Sequence, residues 1–253
     1  MTKLYINCIL LFDRYFKLSW LNIYIGCDNI LDVINSMKIK EIPNMGKIIF
    51  DKFYNNSNIV ITDINMSPIK NSKLIRIVDE NDVNKLINNQ YIYSLLEKRK
   101  QYYVYQCSPE KLTSRYRYDV YVKYFYVKSY IEKDNYDLAK KIYLSHVKAF
   151  NNFFEPDGSK SSPDDFIDNF NILIESIKAE GLNKTVIPIS KTGIPIDGAH
   201  RLAVCLYLKI KVQFLVFDLL DAKYDKEFFL NRGMIESYCA TIDNLTKTKG
   251  WNL

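Results

Sequence analysis

The pattern of apolar and polar positions predicts both strands and helices in the first part of the chain. Runs rich in β-branched residues predict three strands, at LNIYIG (21–26), NIVITDI (58–64) and KLIRIV (73–78). From Asp82 to about Lys100, apolar residues such as Val83, Leu86 and Tyr91 recur near helical spacing, which predicts one helix. This region has mixed α/β character, and nothing in it resembles a catalytic motif.

A Ser-Pro step at residues 108–109 marks the next break in the pattern. Serine is a suitable N-cap and proline suits the first helical position, so two helices are expected between residue 108 and residue 150. We place a domain boundary here, between an N-terminal α/β region of unknown role (1–106) and a second part (107–253). The second part combines the helical segment with the motif-bearing domain described below.

Polar residues on these two helices are candidates for substrate binding. Arg115, Asp119 and Lys123 are four residues apart, which places them on one face of a helix. That face is either a solvated ladder of ion pairs or a polar stripe facing a substrate cleft, and the aromatic surroundings keep the second interpretation open. His146, near the end of the second helix, is typical of a structural residue that complements the helix dipole, with substrate contact as the alternative.

The loop EPDGSKSSPDD (155–165) concentrates turn-forming residues immediately before the most informative part of the chain. Charged loop residues are usually only solvated. Because loops that border a site often contribute to it, Glu155 and Lys160 are nevertheless candidates for contact with a substrate.

Residues 164–217 have a clear order of elements. An amphipathic helix ends at Gly181, and a strand (TVIPIS), a turn (191–193) and a second short strand (IPI) follow. The segment DGAHRLAVCLYL then starts a helix, and the apolar run VQFLVFDLL predicts a last strand that is buried on both faces.

The start of that helix has the chemistry of an anion site. Asp197 is placed to cap the helix, and Gly198 lets a ligand approach the backbone. The free N–H groups of the first turn, from Ala199 onward, lie at the positive end of the helix dipole. His200 and Arg201 add donors, and arginine can bind a phosphate with two parallel hydrogen bonds. A nucleotide phosphate is the expected ligand.

The stretch FNILIESIKAEGLNKTVIPISKTGIPIDGAHRLAVCLYL, within 164–217, resembles the ParB/sulfiredoxin superfamily. The resemblance implies an α/β fold of the α+β type, with a ParB/sulfiredoxin-like mixed sheet. Sulfiredoxin has its catalytic cysteine directly before the His-Arg pair, where this chain has Ala199, so sulfinic-acid reduction is not expected. The arginine-rich box and the helix-turn-helix region of chromosome-partitioning ParB proteins are absent from the sequence. The DGxHR form is most similar to that of ParB-like free-serine kinases.

This resemblance also implies roles for individual residues. Asp197 would be a metal-associated or base-like carboxylate, while His200 and Arg201 would hold the transferred phosphoryl group. Family members use an upstream glutamate as a base, for which Glu155 is the nearest candidate. The implied cofactor is Mg²⁺, carried on the phosphates of ATP, ADP or CTP, with Asp197 as its protein contact.

Composition adds information mainly about the compartment. Five cysteines with no CxxC pair argue against a disulfide framework or a zinc site and favour a reducing environment. Charged residues interrupt the apolar start of the chain, and no stretch has the roughly 18 apolar residues of a membrane span. We therefore expect a cytoplasmic protein without membrane insertion.

The sequence predicts a nucleotide-dependent phosphotransferase that acts on a small-molecule or sugar hydroxyl. The segment RYRYDVYVKY ahead of a DGAHR box resembles proteins of surface-polysaccharide biosynthesis, which would make the acceptor a carbohydrate. Two alternatives stay open: a ParB-like nucleic-acid-binding protein or nuclease, and a non-catalytic nucleotide-binding protein. The net charge of +6 is mild and the basic aromatic stretches are short, so nucleic acid is the less expected partner.

Overall fold

The predicted mixture of helices and strands is borne out over most of the chain. A computed structural model describes residues 67–87, 89–155, 158–182, 185–219 and 221–251. The predicted strands at 21–26 and 58–64 lie outside these ranges, as do Cys8 and Cys27. Within them the chain forms eight α-helices, one 3-10 helix and a four-stranded mixed sheet. The α+β class expected from the sequence is confirmed.

The helices account for most of the described residues. They are α1 (Glu80–Leu86), α2 (Gln90–Ser94), α3 (Tyr118–Glu132), α4 (Tyr136–Asn151), α5 (Pro163–Glu180), α6 (Ala199–Leu208), α7 (Lys226–Leu230) and α8 (Glu236–Thr248). A 3-10 helix at Pro109–Leu112 begins directly after Ser108. None of the helices in the described ranges is both long and apolar enough to cross a membrane.

The sheet is built from strands that lie far apart in the sequence. They are β1 (Lys73–Val78), β2 (Tyr102–Cys107), β3 (Ile187–Ile189) and β4 (Val212–Val216), in the spatial order β1-β2-β4-β3. The pairs β1/β2 and β2/β4 are antiparallel, whereas β3 and β4 are parallel. Parallel neighbours need a crossover connection, and α6 supplies it. The DGAHR segment therefore follows β3 and runs into the first turn of this crossover helix.

Both faces of the sheet are covered. Phe214 of β4 packs in the large core formed with α3, α4, α5 and α6, while the next residue, Leu215, packs on the opposite face against Val83 and Ile87. The prediction that this last strand is buried on both faces is confirmed. The second short strand expected at IPI forms only an isolated bridge, between Pro195 and Ile189.

The predicted boundary between residues 106 and 107 does not separate two units in the structure. Residues Asn65–Leu253 form one compact unit. Strand β2 ends at Cys107 and is an inner strand, paired with β1 on one side and β4 on the other. The break in local pattern at Ser108 marks the end of a strand and not the end of a domain. The pairing of this strand with residues a hundred positions away cannot be read from the local sequence.

The single helix predicted from Asp82 to about Lys100 is also wrong. The backbone of Ile87 is extended and ends α1, and the side chain of Asn89 caps α2 by accepting a hydrogen bond from the Ile92 N–H at 3.2 Å. In contrast, α5 ends with Gly181 as its C-cap, as the sequence predicted, and it begins with a capping box between Ser162 and Asp165.

Candidate functional site

The first turn of α6 is organised by a glycine rather than by the predicted aspartate cap. Gly198 is the N-cap residue, with a left-handed φ of +83°, and no side chain among the described residues caps this helix. Asp197 instead places its carboxylate 3.4 Å from Nη2 of Arg201. A Cβ at Gly198 would lie 3.1 Å from the same Nη2 atom, so the close approach of the guanidinium also favours glycine.

The guanidinium of Arg201 is folded back along its own helix. Its Nη1 donates to the carbonyl oxygen of Val186 at 3.2 Å, and its side chain is 12% exposed. Burial lowers the pKa of Arg201, an effect that Asp197 opposes. Arginine keeps its charge under such conditions, so the first turn of α6 has a fixed cation beside it.

His200 lies in the same turn and is held by aromatic side chains. Its Nε2 is 2.9 Å from the hydroxyl oxygen of Tyr143 on α4, and its ring meets Phe170 of α5 edge-on at 4.6 Å. Burial, followed by the charges of Lys123 and Lys160, lowers the pKa of His200 well below the usual range. This histidine is neutral at pH 7 and bridges α6 to α4.

The polar helix face predicted at Asp119 and Lys123 is a buried ion cluster on α3. Asp119 of α3 accepts hydrogen bonds from Nε and Nη2 of Arg117, both at 2.9 Å, and from Nζ of Lys123 at 2.8 Å. All three side chains are at most 6% exposed. The solvated ladder is therefore wrong for Asp119 and Lys123, because the aromatic residues around them exclude water.

Electrostatics connect this cluster to the start of α6. Burial alone would raise the pKa of Asp119, but Arg117 and Lys123 hold it well below the usual range. Burial lowers the pKa of Lys123, while Asp119 and Asp197 oppose that shift. Arg117 also donates through Nη1 to the carbonyl oxygen of Pro195, two residues before Asp197. The cluster and the DGAHR turn thus form one continuous polar site.

His146 lies against this cluster, inside α4 rather than at its end. The residue is 2% exposed, and neither Nδ1 nor Nε2 has a hydrogen-bond partner. Burial and then the charge of Lys123 lower the pKa of His146 well below the usual range. The expected role in complementing the helix dipole does not fit a buried, neutral ring.

The loop candidates lie at the edge of the same site. Nζ of Lys160 is 3.2 Å from the Glu155 carboxylate and 4.8 Å from the centre of the Phe166 ring. The charge of Glu155 contributes to raising the pKa of Tyr143, after burial, just as Lys160 contributes to lowering that of His200. The charges of both loop residues therefore act on the Tyr143–His200 pair.

Of the three residues predicted to share one helix face, Arg115 is separated from the cluster. It precedes α3, is exposed, and packs its guanidinium on the Tyr116 ring at 5.0 Å. The spacing of four failed because the helix begins only at Tyr118. Its place is taken by Arg117, which the spacing of four does not indicate; the closely spaced pair Arg117 and Asp119 in RYRYD is the signal in the sequence.

The residues of the described ranges argue against a reactive thiol at Cys205 and against a metal ion held by protein ligands alone. The thiol of Cys205 is fully buried and its pKa is raised to about 12 by burial, as expected for a structural cysteine. No group of three His, Cys, Asp or Glu side chains in the described ranges could hold a metal ion. An ion held by protein ligands alone does not fit this donor set, whereas one that arrives on substrate phosphates needs only a single carboxylate such as Asp197.

Comparisons with known proteins leave the site to be interpreted from its geometry. No protein-family model matches the chain. No curated protein and no solved structure matches it either.

The site combines four cationic side chains with three anionic ones: Arg117, Lys123, Lys160 and Arg201 against Asp119, Glu155 and Asp197. Two neutral histidines, His146 and His200, lie among them. The surplus of positive charge borders the N-terminus of α6, whose dipole has the same sign. Such an arrangement can bind an anion and neutralise charge that develops on it.

Proposed function

We propose that the protein is a nucleotide-dependent phosphotransferase that moves a phosphoryl group to a hydroxyl of a small molecule or sugar. The observation that carries the proposal is the buried surplus of positive charge beside the first turn of α6, which no side chain of the described ranges caps. The backbone N–H groups of Ala199, His200 and Arg201 form the phosphate-binding turn. Phosphoryl transfer depends mainly on positioning and charge neutralisation, and the site offers both.

The transfer uses few protein groups. The acceptor hydroxyl oxygen bonds to the terminal phosphorus of the nucleotide, the bond from that phosphorus to the bridging oxygen breaks, and its electrons stay on the departing nucleotide. The carboxylate of Glu155 takes the hydroxyl proton. Lys123 and Arg201 neutralise the transferred group. Asp197 would contact the Mg²⁺ that the nucleotide carries, and that ion would partly neutralise the phosphates.

Lys123 provides the sharpest test of nucleotide binding. The variant Lys123→Met removes the buried ammonium and leaves Arg117 paired with Asp119. We expect at least a tenfold loss of affinity for the magnesium complexes of ATP, ADP or CTP by titration calorimetry, whichever the wild type binds. Lys128→Met is the matched control, because Lys128 lies on the same helix in an exposed pair with Glu132.

Wild-type protein should also be stabilised by its nucleotide. A ligand at a hundred times its dissociation constant adds about 2.7 kcal/mol to the free energy of unfolding. A thermal-shift screen in which none of the three nucleotides stabilises the wild type would refute the proposal. If the protein binds a nucleotide but transfers phosphate to no hydroxyl acceptor, and if Glu155→Gln leaves the nucleotide affinity unchanged, the result would instead favour a non-catalytic nucleotide-binding protein.

Location in the cytoplasm belongs to the same proposal. Cys107, Cys205 and Cys239 are free thiols and buried in the structure. Reduced cysteines are typical of a reducing compartment, where nucleotides are also abundant. Secretion with oxidised cysteines, detected by mass spectrometry of the native protein, would contradict this part.

A further inference from the structure

His146 is the one buried polar side chain of the site whose atoms all lack a partner. Both ring nitrogens are buried and without a hydrogen bond, although the ring lies beside the charges of Lys123, Asp119 and Arg117. Buried polar atoms are nearly always paired, because an unpaired one forfeits its hydrogen bonds to water. The ring is held in place by packing, with the centre of the Phe229 ring 4.7 Å away.

The protonation state of His146 selects what it can bind. Burial and the nearby ammonium of Lys123 lower its pKa well below the usual range, so the imidazole is neutral at pH 7. A neutral imidazole has one N–H donor and one bare nitrogen acceptor. The dianion of a phosphate monoester, or a carboxylate, has only acceptors and would leave the bare nitrogen unpaired. A hydroxyl both donates and accepts, so it pairs with either nitrogen, and two nitrogens call for two hydroxyls.

Tyr143 lies between this ring and the phosphate-binding turn. Its ring stacks on that of His146 with the centroids 6.3 Å apart, and its hydroxyl oxygen is 2.9 Å from Nε2 of His200 in that turn. A molecule at His146 would therefore lie next to a phosphoryl group held at the first turn of α6. That is the position the acceptor must occupy for transfer.

We propose that His146 binds the phosphoryl acceptor, and that this acceptor is a neutral polyol or sugar with at least two hydroxyl groups. The role of this molecule as phosphoryl acceptor rests on the proposed function, but its binding to His146 can be measured without a nucleotide. Of the rings packed on the imidazole among the described residues, Tyr143 and Phe229 are buried, whereas Phe150, which stacks on it at 6.2 Å, is 36% exposed. The proposal therefore requires Phe150 to rotate aside, and rotation of a surface side chain is fast.

The chain has only two histidines, which makes a direct experiment possible. Protein labelled with ¹⁵N only in histidine gives the signals of His146 and His200, and the variant His146→Phe assigns them by removing one set. Phenylalanine keeps the aromatic packing and removes both ring nitrogens. The probes are glycerol and myo-inositol, with 1-propanol as the control that has one hydroxyl and inorganic phosphate as the anionic control.

We expect glycerol and myo-inositol to shift the His146 signals saturably, with a half-saturating concentration at least tenfold lower than that of 1-propanol. Phosphate should shift only the His200 signals. The inference is overturned if neither polyol shifts His146, or if phosphate shifts it at a lower concentration than the polyols do. It is also overturned if His146→Phe, shown to be folded by circular dichroism, binds the polyols as tightly as the wild type in calorimetry.

Failure of the proposed function and failure of the inference about His146 give different results. Since these titrations contain no nucleotide, a response of His146 to polyols stands even if no nucleotide binds. Conversely, nucleotide binding with a silent His146 would leave the phosphotransferase proposal intact and place the acceptor elsewhere. Where turnover is measurable, His146→Phe should raise KM for the polyol at least tenfold and change the affinity for MgATP by less than twofold.

Discussion

The buried cluster on α3 predicts opposite effects for two substitutions at one ion pair. Asp119→Asn keeps the shape of the side chain but leaves Arg117 and Lys123 without an anion, in surroundings where the Asp119 side chain is only 3% exposed. Removing one partner of a buried ion pair costs about 3–5 kcal/mol of unfolding free energy. For a protein of this size that corresponds to a fall in Tm of roughly 6–20 °C.

Lys123→Met removes the surplus charge instead of the balancing one. Arg117 and Asp119 remain as a neutral pair with two hydrogen bonds of 2.9 Å, and methionine fills the volume of the lysine stem. Because burial opposes the charged form of Lys123, we expect the free energy of unfolding to stay constant or to rise by up to about 2 kcal/mol. The same variant should lose nucleotide affinity, since stability and binding make opposite demands on this ammonium.

Urea unfolding followed by circular dichroism measures both effects. Lys128→Met is the reference, because the Lys128–Glu132 pair has the same spacing on α3 but is 30% and 39% exposed. Its loss should change the unfolding free energy by about 0.5 kcal/mol. The reasoning is refuted if Asp119→Asn stays within about 1 kcal/mol of the wild type, or if Lys123→Met is as destabilising as Asp119→Asn.

Two further predictions concern the histidines and the glycine of the site. The folded state keeps His146 and His200 neutral, whereas the unfolded chain protonates them near pH 6.5. The free energy of unfolding should therefore fall as the pH drops from 7 to 5.5. The slope for His146 should approach about 1.4 kcal/mol per pH unit, and the partly exposed His200 should add a smaller slope. Urea midpoints across this range check the effect, and a slope unchanged in His146→Phe would contradict it. Gly198→Ala and Gly233→Ala both place alanine at a positive φ, which costs about 1–2 kcal/mol each, but only the alanine at 198 would crowd the guanidinium of Arg201. Calorimetry should therefore show weaker nucleotide binding for Gly198→Ala alone.

The sequence predicts those parts of the fold that depend on local chemistry. The helix that ends at Gly181 and the crossover helix that starts in DGAHR are found where expected, because a C-terminal glycine and apolar periodicity act over a few residues. The break of the helix after Ile87 was missed although Asn89 is a strong capping residue. There, apolar periodicity was weighted above a local cap.

Residue types point to several members of the candidate site, but not to its burial. Asp119 and Lys123 were expected on a polar helix face, either solvated or facing a substrate cleft, and His146 near the end of its helix, whereas the structure buries all three. Burial of an ion cluster depends on elements that arrive from elsewhere in the chain, such as the segment around Pro195. Arg117 and Tyr143 escaped notice for the same reason, since their partners lie 78 and 57 residues further on.

The contacts of Arg117 also set the order in which the site can be completed during synthesis. Its carbonyl partner Pro195 leaves the ribosome 78 residues later, and Tyr224 emerges later still. The ring of Tyr224 lies 5.4 Å from the guanidinium, and its backbone forms hydrogen bonds with the residues on either side of Arg117. Until then α3 can form, but its ion cluster stays open to water. A chain that stops after β4 would hold the sheet and the DGAHR turn without closing the cluster over them. Closure of the cluster is therefore a late step that requires the chain through Tyr224.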